Sequence, residues 1–89
     1  MLPGLTLQLL RIAYHHRVVE SDAAAGLTRI VGLLGRPIED GVFHAALGAA
    51  LAKGLVHDPV RLPAGALQCH WHLELTPKGM QAVRAQPPA

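Results

Sequence analysis

The sequence predicts an α+β domain of three helices, a two-stranded β-hairpin and a short C-terminal helix. Two observations carry that prediction. Apolar residues recur at helical spacing up to Gly54 and at alternating positions beyond it, and a change of period from 3.6 to 2 marks a change from helix to strand. Cap and turn residues also stand at each joint, at Ser21-Asp22, Gly35-Arg36-Pro37, Gly54, Pro63-Ala64-Gly65-Ala66 and Thr76-Pro77.

The first helix is expected over Leu5 to His16, where Leu5, Leu9, Ile12 and Ala13 share one face. Leu7, Leu10 and Tyr14 form a second stripe. A helix apolar on two sides has something packed on the second, so this stripe is the expected homodimer surface. Ser21-Asp22 offers the N-cap of the second helix, whose Leu27, Ile30, Val31 and Leu34 have helical spacing, and Gly35 supplies the left-handed residue that closes it. Gly26 inside that helix costs about 1 kcal/mol relative to alanine.

The third helix is expected from Ile38 to Lys53, with Pro37 at its start and Glu39 and Asp40 near the positive end of its dipole. Its core face is Phe43, Leu47 and Ala50, joined by Ala46 and Leu51. Beyond Gly54, Val56, Asp58, Val60 and Leu62 alternate with polar residues and proline, as do Leu67, Cys69, Trp71, Leu73 and Leu75 with polar ones. A loop of Pro63 to Ala66 sets Leu62 opposite Leu67, Val60 opposite Cys69, Asp58 opposite Trp71 and Val56 opposite Leu73. This register turns Trp71 and Cys69 inward and His57, His70 and His72 outward, with Asp58 as its one misfit. Thr76 caps the last helix, Pro77 opens it, and Met80 and Val83 face in. Residues 1–86 form one domain and 87–89 a frayed tail.

Composition narrows the class. The chain has 89 residues, 51% of them hydrophobic and only 16% charged, which excludes a disordered segment. A domain this small cannot hide so much apolar surface alone, so a partner surface, most simply a second copy, is expected. The uncharged run Gly41 to Ala52 falls short of the roughly 20 residues a bilayer needs. Met1-Leu2-Pro3-Gly4 lacks the basic start of a secretory signal and Cys69 is the sole cysteine, which favours a cytoplasmic setting. A formal charge of +2 and a pI near 9.2 permit an acidic partner without demanding one.

The element order, together with Leu47, Ala50 and Lys53-Gly54-Leu55-Val56 and then Leu75-Thr76-Pro77-Lys78-Gly79, resembles the winged helix-turn-helix superfamily, in particular small regulators of the MarR and PadR type. The resemblance covers most of the chain. It implies a small transcriptional regulator acting as a homodimer on duplex DNA, with the third helix in the major groove and the hairpin as the wing. Under that reading Arg29, Arg36, Lys53 and Arg61, with Lys78 beside them, hold phosphates, and His44 is the candidate base contact.

The outward face of the third helix, Asp40, Gly41, His44, Ala45, Gly48, Ala49 and Ala52, carries no Arg, Lys, Asn or Gln, the residues that read base edges. A second reading is therefore open: a winged helix that binds protein rather than DNA, using the small residues Ala45, Gly48, Ala49 and Ala52. His57 across from His72, with His70 on the same face, is also a three-imidazole arrangement open to zinc, against the plainer reading of a His-rich exposed strand face. No phosphate loop, nucleophile motif or cofactor signature is present, so neither catalysis nor a cofactor is expected.

Overall fold

The computed structural model describes residues 4–61, 65 and 67–85, and only the backbone of Arg61. Its elements are α1 (Gly4–His15), β1 (Val18–Glu20), α2 (Ala23–Leu34), α3 (Asp40–Ala52), β2 (Val60–Arg61), β3 (His70–Leu73) and α4 (Pro77–Ala85). The fold is α+β as expected, but it carries a third strand, β1, between the first two helices. Three residues are too few for an alternating pattern to register, and the partner of β1 lies far along the chain. It pairs antiparallel with β3, Val18 opposite Leu73, Val19 opposite His72 and Glu20 opposite Trp71. The sheet order is β1-β3-β2, so β3 is central.

The helix boundaries follow local chemistry. Asp22 accepts the Ala25 backbone N–H at 2.8 Å, and Gly35 takes φ 75° and closes α2. The third helix starts at Asp40 rather than Ile38: Glu39 is its N-cap in extended backbone, and Ile38 packs on the core from the connection. At its other end Gly54 takes φ 71°, its N–H donates to the Leu51 carbonyl, and the Leu55 N–H donates to the Ala50 carbonyl. This pair of bonds is a Schellman closure.

The two segments that carry the family resemblance dock on each other. The Thr76 hydroxyl donates to the Gly54 carbonyl at 2.6 Å and accepts the Gly79 N–H at 3.1 Å, while the Thr76 N–H donates to the Leu55 carbonyl. Gly79 is buried so tightly that an added Cβ would overlap the Leu55 carbonyl oxygen. Thr76 thus caps α4 and ties it to the corner after α3. Met80, expected inward, is exposed because Gly79 occupies that contact; Val83 is half-buried against the core.

Leu9, Leu10, Ile30, Phe43, Trp71 and Leu73 lie at the heart of the core. Trp71 faces inward as expected, its ring 6.0 Å from that of Phe43 and pressed on α2 at Gly26. The second stripe of α1 has a different fate from the one expected. Leu10 is 0% exposed within the single chain, Leu7 is half-buried, and the exposed Tyr14 accepts a hydrogen bond from Arg84 Nε of α4 at 3.2 Å. That contact raises the Arg84 pKa above its ordinary value. The chain itself thus covers much of the surface assigned to a partner.

The hairpin register also differs. Val60 lies opposite Trp71, Arg61 opposite His70, and Val56 bridges Leu75, so each partner moves by two residues, from Cys69 to Trp71 for Val60. A shift of two keeps the facing parity. Trp71, Leu73 and Leu75 remain inward, and Asp58 ceases to be a misfit: it is exposed, and its Oδ1 accepts the Val60 N–H at 3.0 Å. Toward the tip the parity no longer buries the side chains: Val60 and Cys69 line an open pocket with Ser21, Asp22 and Ala23 at the start of α2. Cys69 and Val60, expected inward, are exposed, and Leu67 is 99% exposed. The expected pairing of Leu62, the turn at Pro63, Ala64 and Ala66, and the tail at 87–89 lie outside the described residues.

Candidate interaction face of helix α3

One side of α3 is spent on the core: Phe43, Ala46, Leu47 and Ala50 are buried. Their spacing of three and four residues defines the inward face, so Gly41, Ala45, Gly48 and Ala52 fall on the opposite side. All four are exposed, as are Asp40, His44 and Lys53, while Ala49 is half-buried. Val42 at 50% exposure and Leu51 at 42% flank this stripe on either side. Leu51 was expected in the core because it follows Leu47 by one turn; it sits at the edge of the inward face instead. Sequence reasoning missed Val42 altogether, although its position between the inward Phe43 and the outward Gly41 is the available signal.

The glycines of this face have no internal justification. Nothing lies within 4 Å of a Cβ built on Gly48, and Gly41 would meet only the flexible Glu39 Oε1 at 3.6 Å. Neither takes a positive φ. Glycine inside a helix costs about 1 kcal/mol relative to alanine, and here no packing within the chain offsets that cost.

Beside α3 lies an open groove of about 320 Å³, lined by Ala23, Ala24, Leu27 and Thr28 of α2 and by Asp40, Phe43 and His44 of α3. Its polar groups are few. The Thr28 hydroxyl donates to the Ala24 carbonyl, the His44 ring tilts against Phe43 at 5.6 Å, and the Asp40 carboxylate sets a negative charge at the lip.

The residues expected to hold DNA are placed as follows. Arg29 pairs with Glu20 of β1 at 3.5 Å, and Arg36 Nη2 donates to Gln8 Oε1 of α1 at 2.7 Å. His44 and Lys53 are exposed at opposite ends of α3, and Lys78 is exposed in the first turn of α4. The Arg61 backbone sits opposite His70; its side chain lies outside the description. Two of the five expected phosphate ligands, Arg29 and Arg36, thus make exposed contacts with other elements of their own chain.

The three histidines do not form the zinc-type cluster that the sequence left open as an alternative. The shifted register gives His57 to Glu74, with the His57 N–H donating to the Glu74 carbonyl and the side chains 3.8 Å apart. The His72 N–H donates to the Pro59 carbonyl, and His70 faces Arg61. Among the described residues no group of three or more His, Cys, Asp or Glu side chains is placed to hold a metal ion. Nor is any helix there long and apolar enough to cross a membrane.

No protein-family model, curated protein or solved structure gives a significant match to this chain.

Proposed function

We propose that this chain is a winged-helix domain that works by binding protein, with the outward face of α3 as its contact. The order of helices and strands and the sheet order β1-β3-β2 support the winged-helix reading. The observation that carries the protein reading is the chemistry of that face: half-exposed Val42 and Leu51 flank a stripe of glycine and alanine, with His44 the one hydrogen-bonding side chain between the charged ends.

Magnitudes favour a protein contact. Fully burying a Val or Leu side chain contributes about 1.5–3 kcal/mol, so covering the exposed halves of Val42 and Leu51 contributes roughly 1 kcal/mol each. Base readout draws its discrimination from bidentate Arg, Asn or Gln, about 1–3 kcal/mol per pair, and α3 has none to offer. Asp40 at the groove lip adds repulsion toward phosphate.

Duplex DNA, bound by a homodimeric regulator, is the second reading. It is favoured by exposed Lys53 at the end of α3, by Thr28 and His44 in the adjoining groove, and by the formal charge of +2. A mobility-shift titration with random duplexes separates the two. The protein reading expects no retarded band at about 50 mM salt, the condition most favourable to phosphate contacts. A complex at that salt that weakens steeply toward about 200 mM overturns it.

A further inference from the structure

We propose that the hollow between the end of α1 and the paired strands β1 and β3 binds a small oxyanion, a carboxylate or a phosphate monoester, carried on a short apolar body. No residue of α3 lines it, so the site is independent of the face described above.

The hollow has a volume of about 320 Å³, at the lower end of the range for small-molecule sites. Local structure makes it. α1 stops at His15, the His16 N–H donates to the Ile12 carbonyl, and Arg17 leads the chain directly into β1, where Val19 stands opposite His72 of β3. That path gathers His15, His16, Arg17 and His72 around one cavity, and Val19 and Leu73 supply part of its apolar lining. A guanidinium and three imidazoles thus meet a single carboxylate, that of Glu74, which stands 3.8 Å from the His57 imidazole. Each imidazole keeps an N–H donor whether charged or neutral.

Arg17 decides the charge of the ligand. Among the described residues Arg29 is paired with Glu20, Arg36 with Gln8 and Arg84 with Tyr14, and Arg11 has an interaction of its own, whereas the Arg17 side chain has no hydrogen-bond or ion-pair partner. It is exposed at the cavity. A guanidinium presents a planar fork of N–H donors, which fits a carboxylate or phosphoryl group through two parallel bonds. The negative end of the α1 dipole opposes an anion, but its pull falls off within the last turn, and Arg17 lies beyond His15, where α1 ends. Exposed charges around an open hollow place the affinity in roughly the millimolar range.

The test is a titration of the ¹⁵N-labelled 89-residue chain with butyrate, butylammonium and inorganic phosphate, each to about 50 mM at an ionic strength held constant with sodium chloride. The expected result is saturating movement of the His16, Arg17, Val19 and His72 amides with butyrate, with phosphate or with both, and none with butylammonium. Tighter binding of butyrate assigns the site to a carboxylate, and tighter binding of phosphate to a phosphoryl group. Arg17→Gln removes the fork without removing a contact inside the chain, so it is expected to keep the wild-type melting temperature and to weaken anion binding roughly fivefold or more. Arg17→Lys keeps the charge without the fork and is expected to fall between the two. Failure of both anions to saturate these amides, or equal movement with butylammonium, overturns the site. An Arg17→Gln chain that binds the anion as tightly as wild type overturns the assignment of the ligand to Arg17.

Discussion

Gly26→Ala inverts the ordinary rule for helix interiors. On an exposed helix, alanine in place of glycine stabilises by about 1 kcal/mol. At Gly26 the added Cβ would overlap Trp71 Cε3 and come 2.6 Å from Cζ3 and 2.9 Å from Cδ2. The ring has nowhere to go: Trp71 is buried, Phe43 lies 6.0 Å away, and the backbone is fixed by strands on both sides, opposite Glu20 and Val60. Either the indole leaves Phe43 or α2 lifts from the sheet. Overpacking of this kind costs about 1–3 kcal/mol, and a rigid ring held on every side belongs at the upper end. After the gain in helix propensity the net loss is about 2 kcal/mol, or roughly 8–16 °C in melting temperature for a domain of this size. Trp71 is the sole tryptophan, so its fluorescence during urea and thermal unfolding reports on the site. A variant as stable as wild type, or more stable, refutes the argument. Adding Trp71→Leu is expected to remove most of the penalty, leaving the two substitutions non-additive.

Three further predictions follow from the same packing. Gly79→Ala drives a Cβ into the Leu55 carbonyl, which is backbone and yields less readily than a side chain, so a loss of at least about 3 kcal/mol is expected in urea unfolding. Thr76→Val keeps the shape but leaves the Gly79 N–H and the Gly54 carbonyl without their partner, lowering stability by about 1–2 kcal/mol and fraying α4 by hydrogen exchange. Arg29→Ala breaks a pair whose side chains are 39% and 30% exposed, so its effect on the urea midpoint stays below about 0.5 kcal/mol; a larger loss would show Arg29 holding β1 to α2 more firmly than a surface ion pair does.

How legible the fold was depended on how local its causes are. The limits of α2 were readable because Asp22 and Gly35 act on their own helix end, and α3 ended where Gly54 said it would. β1 was not readable, since three residues are held by a partner strand more than fifty positions away. The hairpin parity survived because Trp71, Leu73 and Leu75 must face the helices, yet the register slipped by two because nothing between Leu62 and Cys69 announced how long the loop would be. The inward assignment also failed at Cys69, which precedes β3 and opens onto a shallow pocket beside the start of α2.

The candidate site divides along the same line. The outward face of α3 is a matter of helical period and was visible in the sequence, apart from Val42 and the misplaced Leu51. The commitments of Arg29 to Glu20 and of Arg36 to Gln8 are tertiary, the second spanning α1 to the end of α2, and spacing gave no hint of either. The motif pair ending in Gly54 and Gly79 was legible only as a likeness; its physical reason is that Thr76 and Gly79 close on the corner that Gly54 makes.

The most direct test is a titration of the uniformly ¹⁵N-labelled chain with a random DNA duplex at low salt. The predicted outcome is that the amides of Val42, Ala45, Gly48 and Leu51 stay still. Movement of those amides that weakens as salt is raised would contradict the assignment of this helix face to a protein partner.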